Sequence, residues 1–587
     1  MVFLAKVKIL NFILANLHSG YYGKRNNLRC KPNSTLMKNL IFYRSFAFIS
    51  TSLFLFSFQL ESSKTPGNSY PDRPNIVWIV TEDMSPQHLG AYGGTGGNTP
   101  VLDAFAKESV LYTNLFSTAG VCAPSRASII TGAYQTAIGA QHMRTLAVSA
   151  VANTSYPGGF KPYSAMLPEG MKGFPEHMRM AGYYVTNNAK QDYQFVAPGT
   201  LWDESSRNGH WRNRPDQNQP FFSVFNIEVT HESQVWVRAK EPLLVDPAKV
   251  TIPPYYPDDS ISRAVMARFI SNVMTMDSQV GEILKQLKED GLYDNTIIFF
   301  YSDHGDGLPY AKRELYDRGL RAPLMIKASF LEPGTVDEQL VSFVDFGPTV
   351  LSFAGVEIPE NIQGQAFLGK KKSQTPRKYI YAGRDRMDSE YDRVRAVSDG
   401  RFKYIRNYMP EKPNYQNVQF RLQNPLMIHL LKLNEDGKLT PDQARWFAPN
   451  KPLEEFYDTQ IDPYEFKNLI GNPVYGEKLK ELRAAHEQWM KDYPDMSAIP
   501  EMEMVRNWWG GKDEAPTTAE PKVEFFGGKV LIASATKGAS VGYRKSAKDV
   551  WTIFQQPIEM QAGDSLYVLA HRIGFEPSMK SLILKEE

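Results

Sequence analysis

Three uninterrupted apolar runs constrain this chain more than any other feature: Asn75–Thr81 (NIVWIVT), Phe221–Val229 (FFSVFNIEV) and Asn295–Tyr301 (NTIIFFY). A strand with one wet face alternates apolar and polar residues. A run that is apolar almost throughout belongs to a strand buried on both faces, as in a parallel sheet covered by helices. Segments with helical spacing lie between them: Pro100–Ser109 (PVLDAFAKES), with Pro at its start, and the long stretch Ile261–Lys288. Gly182–Thr186 and Leu324–Lys327 read as further strands, and Val341–Leu351 as a helix. Alternation of this kind over about 300 residues predicts an α/β domain with a large, mainly parallel central sheet.

The texture changes after about residue 370. Tyr379–Ala382 and Phe402–Ile405 read as short strands, with a turn at Asp399-Gly400, and Lys478–Tyr493 as an amphipathic helix. Trp508–Lys522 reads as a linker. Beyond it, Val530–Ser534, Val550–Phe554 and Ser565–Ala570 read as strands of a small β module. The expected organisation is an α/β domain over 72–370, a smaller α+β subdomain over 371–510 and an accessory β module over 517–587.

At the other end, Ser45–Phe58 is mostly apolar and follows Lys38 and Arg44. It is too short for a comfortable membrane span and reads as the core of an export signal over 37–62. Residues 1–36 then precede the start at Met37 as a mis-assigned extension. This predicts a periplasmic or secreted protein whose mature form has no stable membrane insertion. With 66 basic against 64 acidic residues, net charge +2, no broad nucleic-acid surface is expected. The chain has two cysteines, and Cys30 lies before the expected start. Cys122 alone can form neither an internal disulfide nor a cysteine zinc cluster.

Polar residues follow three strands directly: Glu82-Asp83, His231-Glu232 and Ser302-Asp303-His304. Ligands of open α/β sheets gather at such carboxyl ends. Glu82, Asp83, Asp303 and His304 offer oxygen and imidazole donors that suit a hard divalent cation, calcium or magnesium rather than zinc. Ser125 and Arg126 follow Cys122 closely, and a helix over Ala127–Tyr134 would offer its N-terminus to an anion. With Lys190 after another strand and Lys312 after Asp303, these groups describe a metal-bound oxyanion pocket with Cys122 in the nucleophile's place.

The segment Cys122-Ala123-Pro124-Ser125-Arg126, with Thr131-Gly132 after it, resembles the signature of the formylglycine-dependent sulfatases. Arg73–Asp83 resembles that family's first strand and metal pair, Tyr301–Gly305 its second metal segment, and Arg321–Leu324 the strand that follows. Phe456-Tyr457-Asp458 and Asp462–Leu469 resemble its late segment, so the likeness spans about residues 72 to 495. It implies an alkaline-phosphatase-like fold and a Cys122 converted to formylglycine by a maturation enzyme. It further implies a calcium ion held by Glu82, Asp83, Asp303 and His304 together with the hydrate oxygen of residue 122. In the implied reaction the hydrate attacks sulfur, Arg126, Lys190 and Lys312 offset the negative charge, and His231 protonates the leaving group.

Two positions depart from the family pattern. Glu82 stands where an aspartate is usual, and Ala189-Lys190-Gln191-Asp192 stands where Gly-Lys-x-His is common, so Asp192 replaces a histidine whose part His142 would take over. Thr186–Lys190 resembles the branch that includes heparan N-sulfatases and bacterial polysaccharide sulfatases. Tyr381–Tyr391, with Arg384, Asp385 and Arg386, reads as a sugar subsite, and Trp202, His210, Trp211 and Arg212 as its rim. The expected substrate is a sulfated carbohydrate, an O-sulfate ester of an algal glycan such as ulvan. N-sulfoglucosamine hydrolysis, a phosphatase of the same superfamily and an unconverted carbohydrate-binding protein are the alternatives.

Overall fold

The chain divides into the units Met1–Thr65 and Pro66–Glu587. The computed structural model describes residues 70–585 except Thr95 and 148–155, so the export-signal and upstream-extension readings lie outside the described residues.

The three apolar runs form adjacent strands at the centre of one sheet. β1 (Asn75–Thr81) has β5 (Phe221–Ile227) on one side and β6 (Thr296–Ser302) on the other, both parallel to it. β2 (Val110–Phe116), β3 (Tyr184–Asn188), β4 (Glu204–Ser205), β7 (Arg321–Lys327), β8 (Thr335–Asp337) and β9 (Val341–Ser342) complete nine strands. Their order is β4-β3-β5-β1-β6-β7-β2-β8, with β9 also on β2. The sheet is mixed, because β7 runs antiparallel to both β6 and β2. A parallel return requires a crossover, usually a helix, to carry the chain back along the sheet. Between β6 and β7 there is only the four-residue helix Asp317–Leu320, so the chain turns back at the same edge.

Successive residues of β1 serve opposite layers, as the pleat requires. Ile76, Trp78 and Val80 join one buried cluster, and Val77 and Ile79 join another. On the first face the Trp78 ring packs among Phe174, Phe222, Phe299, Tyr301 and Phe346 at centroid distances of 5.0–6.0 Å. That face is covered by α1 (Cys122–Thr131), α2 (Phe174–Met180) and α4 (Phe346–Ala354). The opposite face is covered by α3 (Ser260–Glu289), whose Asp259 side chain accepts from the amides of Ile261 and Ser262 and so caps it. The helix expected from Val341 starts later. Val341-Ser342 pairs with β2, and a short 3-10 turn in which Asp345 accepts from the Ser342 amide at 3.0 Å intervenes before α4.

A second sheet, β10 (Ile380–Arg384), β11 (Val394–Ser398), β12 (Phe402–Asn407) and β13 (Glu454–Asp458), is antiparallel throughout. α5 (Gly476–Asp492) buries Leu479, Leu482 and Ala485 against its Val397, Tyr404 and Phe456. α6 (Glu501–Trp508) follows. The last strands lie between Lys522 and Ile583 in two small antiparallel sheets that share Phe525, Val530, Ile532, Leu566 and Val568 as a core. They seat on α2, where Glu176 accepts from Ser540 Oγ at 2.9 Å and Arg179 donates to the Trp551 carbonyl at 2.6 Å. Among the described residues no helix is long and apolar enough to cross a membrane.

Candidate active site

The carboxyl ends of β1 and β6 lie side by side because Thr81 and Ser302 pair in the parallel register. Glu82-Asp83 and Asp303-His304 therefore emerge at one edge. Asp83 has a left-handed backbone, φ +55°, unusual for a non-glycine residue, and its amide donates to Asp303 Oδ1 at 3.3 Å. The expected helix start at Ala127 is corrected: α1 begins at Cys122 itself and is closed after Thr131 by Gly132, φ +65°. Its first turn aims Cys122 Sγ at the acidic edge, 3.7 Å from Asp83 Oδ1 and 3.4 Å from His304 Nε2. Ser125 Oγ donates to the Asp303 carbonyl at 2.5 Å, tying the helix to β6.

Donor atoms of Asp83, Cys122, Asp303 and His304 all lie within 4.8 Å of one another, and all four residues are buried. Two carboxylates and an imidazole converging beside residue 122 fit a hard divalent cation. His304 Nδ1 is buried with no hydrogen-bond partner among the described residues, and Nε2 lies 2.9 Å from Asp83 Oδ1. Glu82 stands outside this cluster. Its carboxylate accepts from Arg126 at 3.2 Å and pairs with Lys190. Arg126 also donates to Asp303 Oδ2 at 2.9 Å and to Asn226 Oδ1 at 2.7 Å, so every guanidinium nitrogen is engaged. It orients the acidic edge rather than facing open space.

Lys312 Nζ bridges both oxygens of Asp83, at 2.7 and 2.6 Å, and reaches within 3.6 Å of Cys122 Sγ. Glu232 holds Lys312 at 3.3 Å and Arg313 at 2.6 Å, and its amide donates to Asp83 Oδ2 at 2.6 Å. Burial pulls the Asp83 carboxyl up, but the charges of Lys312, His231 and His304 hold it well below the usual carboxylate range. Asp303 is likewise pulled up by burial and held down at about 2 by Arg126, His304 and Lys190. Burial pushes the Cys122 thiol well up, so the unmodified side chain is a neutral thiol and a poor nucleophile.

A cavity of about 610 Å³ opens over Cys122, lined by Lys190, Asp192, His231 and Lys312 among others. Lys190 Nζ lies 3.9 Å from Asp192. His231 Nδ1 lies 2.8 Å from Ser233 Oγ, which accepts the ring N–H when the imidazole is protonated, and 3.3 Å from the Ser233 amide, from which it can accept when neutral.

The expected sugar subsite is corrected. Arg384 pairs with Glu314 and Asp392, Asp385 with Arg395, and Arg386 holds Glu501 by a two-bond fork at 2.6 and 2.7 Å. All three, at and just after the end of β10, are buried and bound to other protein groups. His142 is buried beside them, with Nδ1 accepting from the Arg386 amide at 3.3 Å, and does not line the cavity. The expected rim is also elsewhere. His210 accepts from the Arg212 amide and bonds Gln286, Trp211 and Arg212 donate to Asp290, and Trp202 packs on Phe222. Asn226, Arg313 and Arg144 belong to the site and were not singled out from sequence, and Glu232 was named there only as a strand-end polar residue.

The family model described as Sulfatase matches residues 74–356, and the model described as N-sulphoglucosamine sulphohydrolase, C-terminal, matches 305–425. An ulvan-active sulfatase of Formosa agariphila is 44% identical over 562 residues, covering 89% of this chain and 93% of that protein. The human N-sulphoglucosamine sulphohydrolase is 24% identical, covering 72% of this chain and 91% of its own. The structure of a 2-O GAG sulfatase superposes with a TM-score of 0.53 at 17% identity, covering 73% of this chain and 94% of that one. That likeness concerns the fold, which is the alkaline-phosphatase-like sulfatase fold.

Proposed function

From the premise that this chain belongs to the sulfatase family, we propose that it removes O-sulfate groups from a sulfated algal glycan of the ulvan type. The chain is a sulfuric ester hydrolase. The glycan rests on its extensive similarity to the ulvan-active relative, and the mechanism on one observation: Cys122 opens α1 inside the cluster of Asp83, Asp303 and His304, beneath a cavity lined by two lysines.

Conversion of Cys122 to formylglycine and a calcium ion held by Asp83, Asp303 and His304, with Glu82 beside them, would supply a geminal-diol nucleophile and the positive charge that activates it. The chain's own residues do the rest. Lys190 and Lys312 face the cavity and neutralise the oxygens of the sulfate, so an incoming oxygen nucleophile is not repelled. Arg126 locks the carboxylates of Glu82 and Asp303 in place. Glu232 fixes Lys312 and Arg313 against the cavity floor. The His231 imidazolium, its Nδ1–H held by Ser233 Oγ at 2.8 Å, delivers the Nε2 proton to the leaving oxygen and is left as the neutral ring. Glu82 sets the position of the Lys190 ammonium group, with Asp192 3.9 Å away on the cavity wall. The protein is read as exported, on the strength of Ser45–Phe58.

The test co-expresses the full chain with a formylglycine-generating enzyme and follows the Cys122 peptide for a loss of about 18 Da. Converted protein should release sulfate from ulvan oligosaccharides, lose activity in a calcium chelator and regain it with calcium. Cys122→Ala should be inactive. Release from N-sulfoglucosamine-terminated oligosaccharides alone would replace the O-sulfate reading by the N-sulfate one. Chelator-resistant activity would remove the metal from the reading.

A further inference from the structure

Arg144 is the arginine of the cavity wall whose charge is least committed. Arg126 has all its nitrogens engaged and Arg313 forks onto Glu232 at 2.6 and 3.1 Å. Arg144 reaches only Asp388, at 3.4 Å, and among the described residues its Nε and second terminal nitrogen donate to nothing. A contact of that length contributes little. Its guanidinium instead lies over the Phe420 ring, 4.8 Å from the centroid, and the side chain keeps 20% of its surface open.

The backbone shows that this placement is enforced. Arg144 has φ +58°, a left-handed conformation that a non-glycine residue holds only when its surroundings over-determine it. They do so here. The Met143 amide donates to the Arg386 carbonyl at 2.9 Å, the Thr145 amide and hydroxyl bind Gln194, and Tyr156 OH donates to the Arg144 carbonyl. The residue is thus clamped between the buried Arg386–Glu501 pair and the wall loop that continues from Lys190 through Gln194. The wall next to it is apolar, formed by Leu146, Phe195, Val196 and Ala197, and suits the flat face of a sugar ring.

We infer that Arg144 is a specificity-determining cation that binds a second anionic substituent of the glycan, a sugar carboxylate or a second sulfate, on or next to the residue that loses its sulfate. The inference rests on the sulfatase reading of the same cavity. A planar guanidinium with free donors takes either anion by a two-bond fork, which lysine cannot reproduce. The apolar wall and the aromatic ring beneath it lower the local dielectric and strengthen that bond.

Binding to full-length Cys122→Ala protein by titration calorimetry tests it without turnover. The probes are three oligosaccharides that carry the same scissile sulfate. In one the neighbouring sugar is a uronate, in the second that carboxyl is reduced to the alcohol, and in the third the neutral neighbour carries a second sulfate. Adding Arg144→Gln should weaken binding of the first or the third by about 10- to 100-fold. Binding of the reduced probe should change by less than about threefold, and Arg144→Lys should recover only part of the loss. The probe that responds identifies the anion. Equal loss on all three probes would make Arg144 a packing residue on Phe420 and overturn the inference, as would no loss on any or no binding by the parent. Sulfate release by the converted wild-type chain is followed in parallel. Its absence with anion-selective binding intact would sink the hydrolysis reading while leaving Arg144 its role.

Discussion

His231 lines the cavity, and its part in the reaction is read from the leaving group. A group that protonates the leaving oxygen matters in proportion to how poorly that oxygen leaves. His231→Ala should therefore lower kcat on a sugar sulfate by about 10²- to 10⁴-fold. On an aryl sulfate, whose phenolate needs no proton, the loss should stay within about tenfold; equal losses on both would assign His231 to positioning. At this scale the sequence is legible wherever chemistry is local. Cys122, Ser125 and Arg126 sit within five consecutive positions, and Asp83 and Asp303-His304 follow two of the three apolar strand runs. Glu82 shows the limit of that reading. Its longer side chain reaches Arg126 and Lys190 instead of joining the donor cluster, and only the geometry of neighbouring strands reveals it.

At the scale of elements, the charged stretch after β10 behaves as structure. Arg386 and Glu501 have no exposed side-chain surface and join β10's end to α6 across the back of the site. Removing one partner of a fully buried pair leaves the other charge without compensation, which costs about 3–5 kcal/mol. Arg386→Met should lower Tm in a calorimetric scan by several degrees. A substitution that leaves Tm unchanged while weakening glycan binding would return Arg386 to the subsite expected from sequence. Density of Arg, Asp and Tyr looks the same in a solvated loop and in a buried ion-pair lattice. The antiparallel packing of β10–β13, pairing residues such as Gly383 with Arg395, decides between them. The reversal of β7 has a similar status, since the short segment before it is visible in sequence and its direction is not.

The whole molecule carries an acid sensitivity in its buried histidines. Burial holds His142 at about 4 against an ordinary 6.5, and burial with Arg395 and Arg406 does the same to His486. Each folded imidazole binds its proton less readily than the unfolded one. The stability it contributes is therefore complete above pH 6.5 and lost as pH falls from there towards 4. Glu501 and Arg386 face His142, Asp495 faces both rings, and α5 carries His486 against the second sheet. Tm should fall steadily between pH 6.5 and 4.5, and His486→Gln should flatten part of that slope; a flat wild-type profile would show that neither ring is buried neutral.

The sequence by itself determined the sheet's central strands, the two acidic strand ends, the cysteine between them and the family to which they belong. Those are consequences of period, run length and near-neighbour spacing, which a linear chain displays. Tertiary structure alone decided that α1 starts at Cys122, that Arg384, Asp385 and Arg386 turn inward, and that Arg144 is left with charge to spare over the cavity. The reason is physical. A charged side chain's role depends on which partner meets it after desolvation, and partners such as Arg386 and Glu501 stand 115 positions apart until the chain folds.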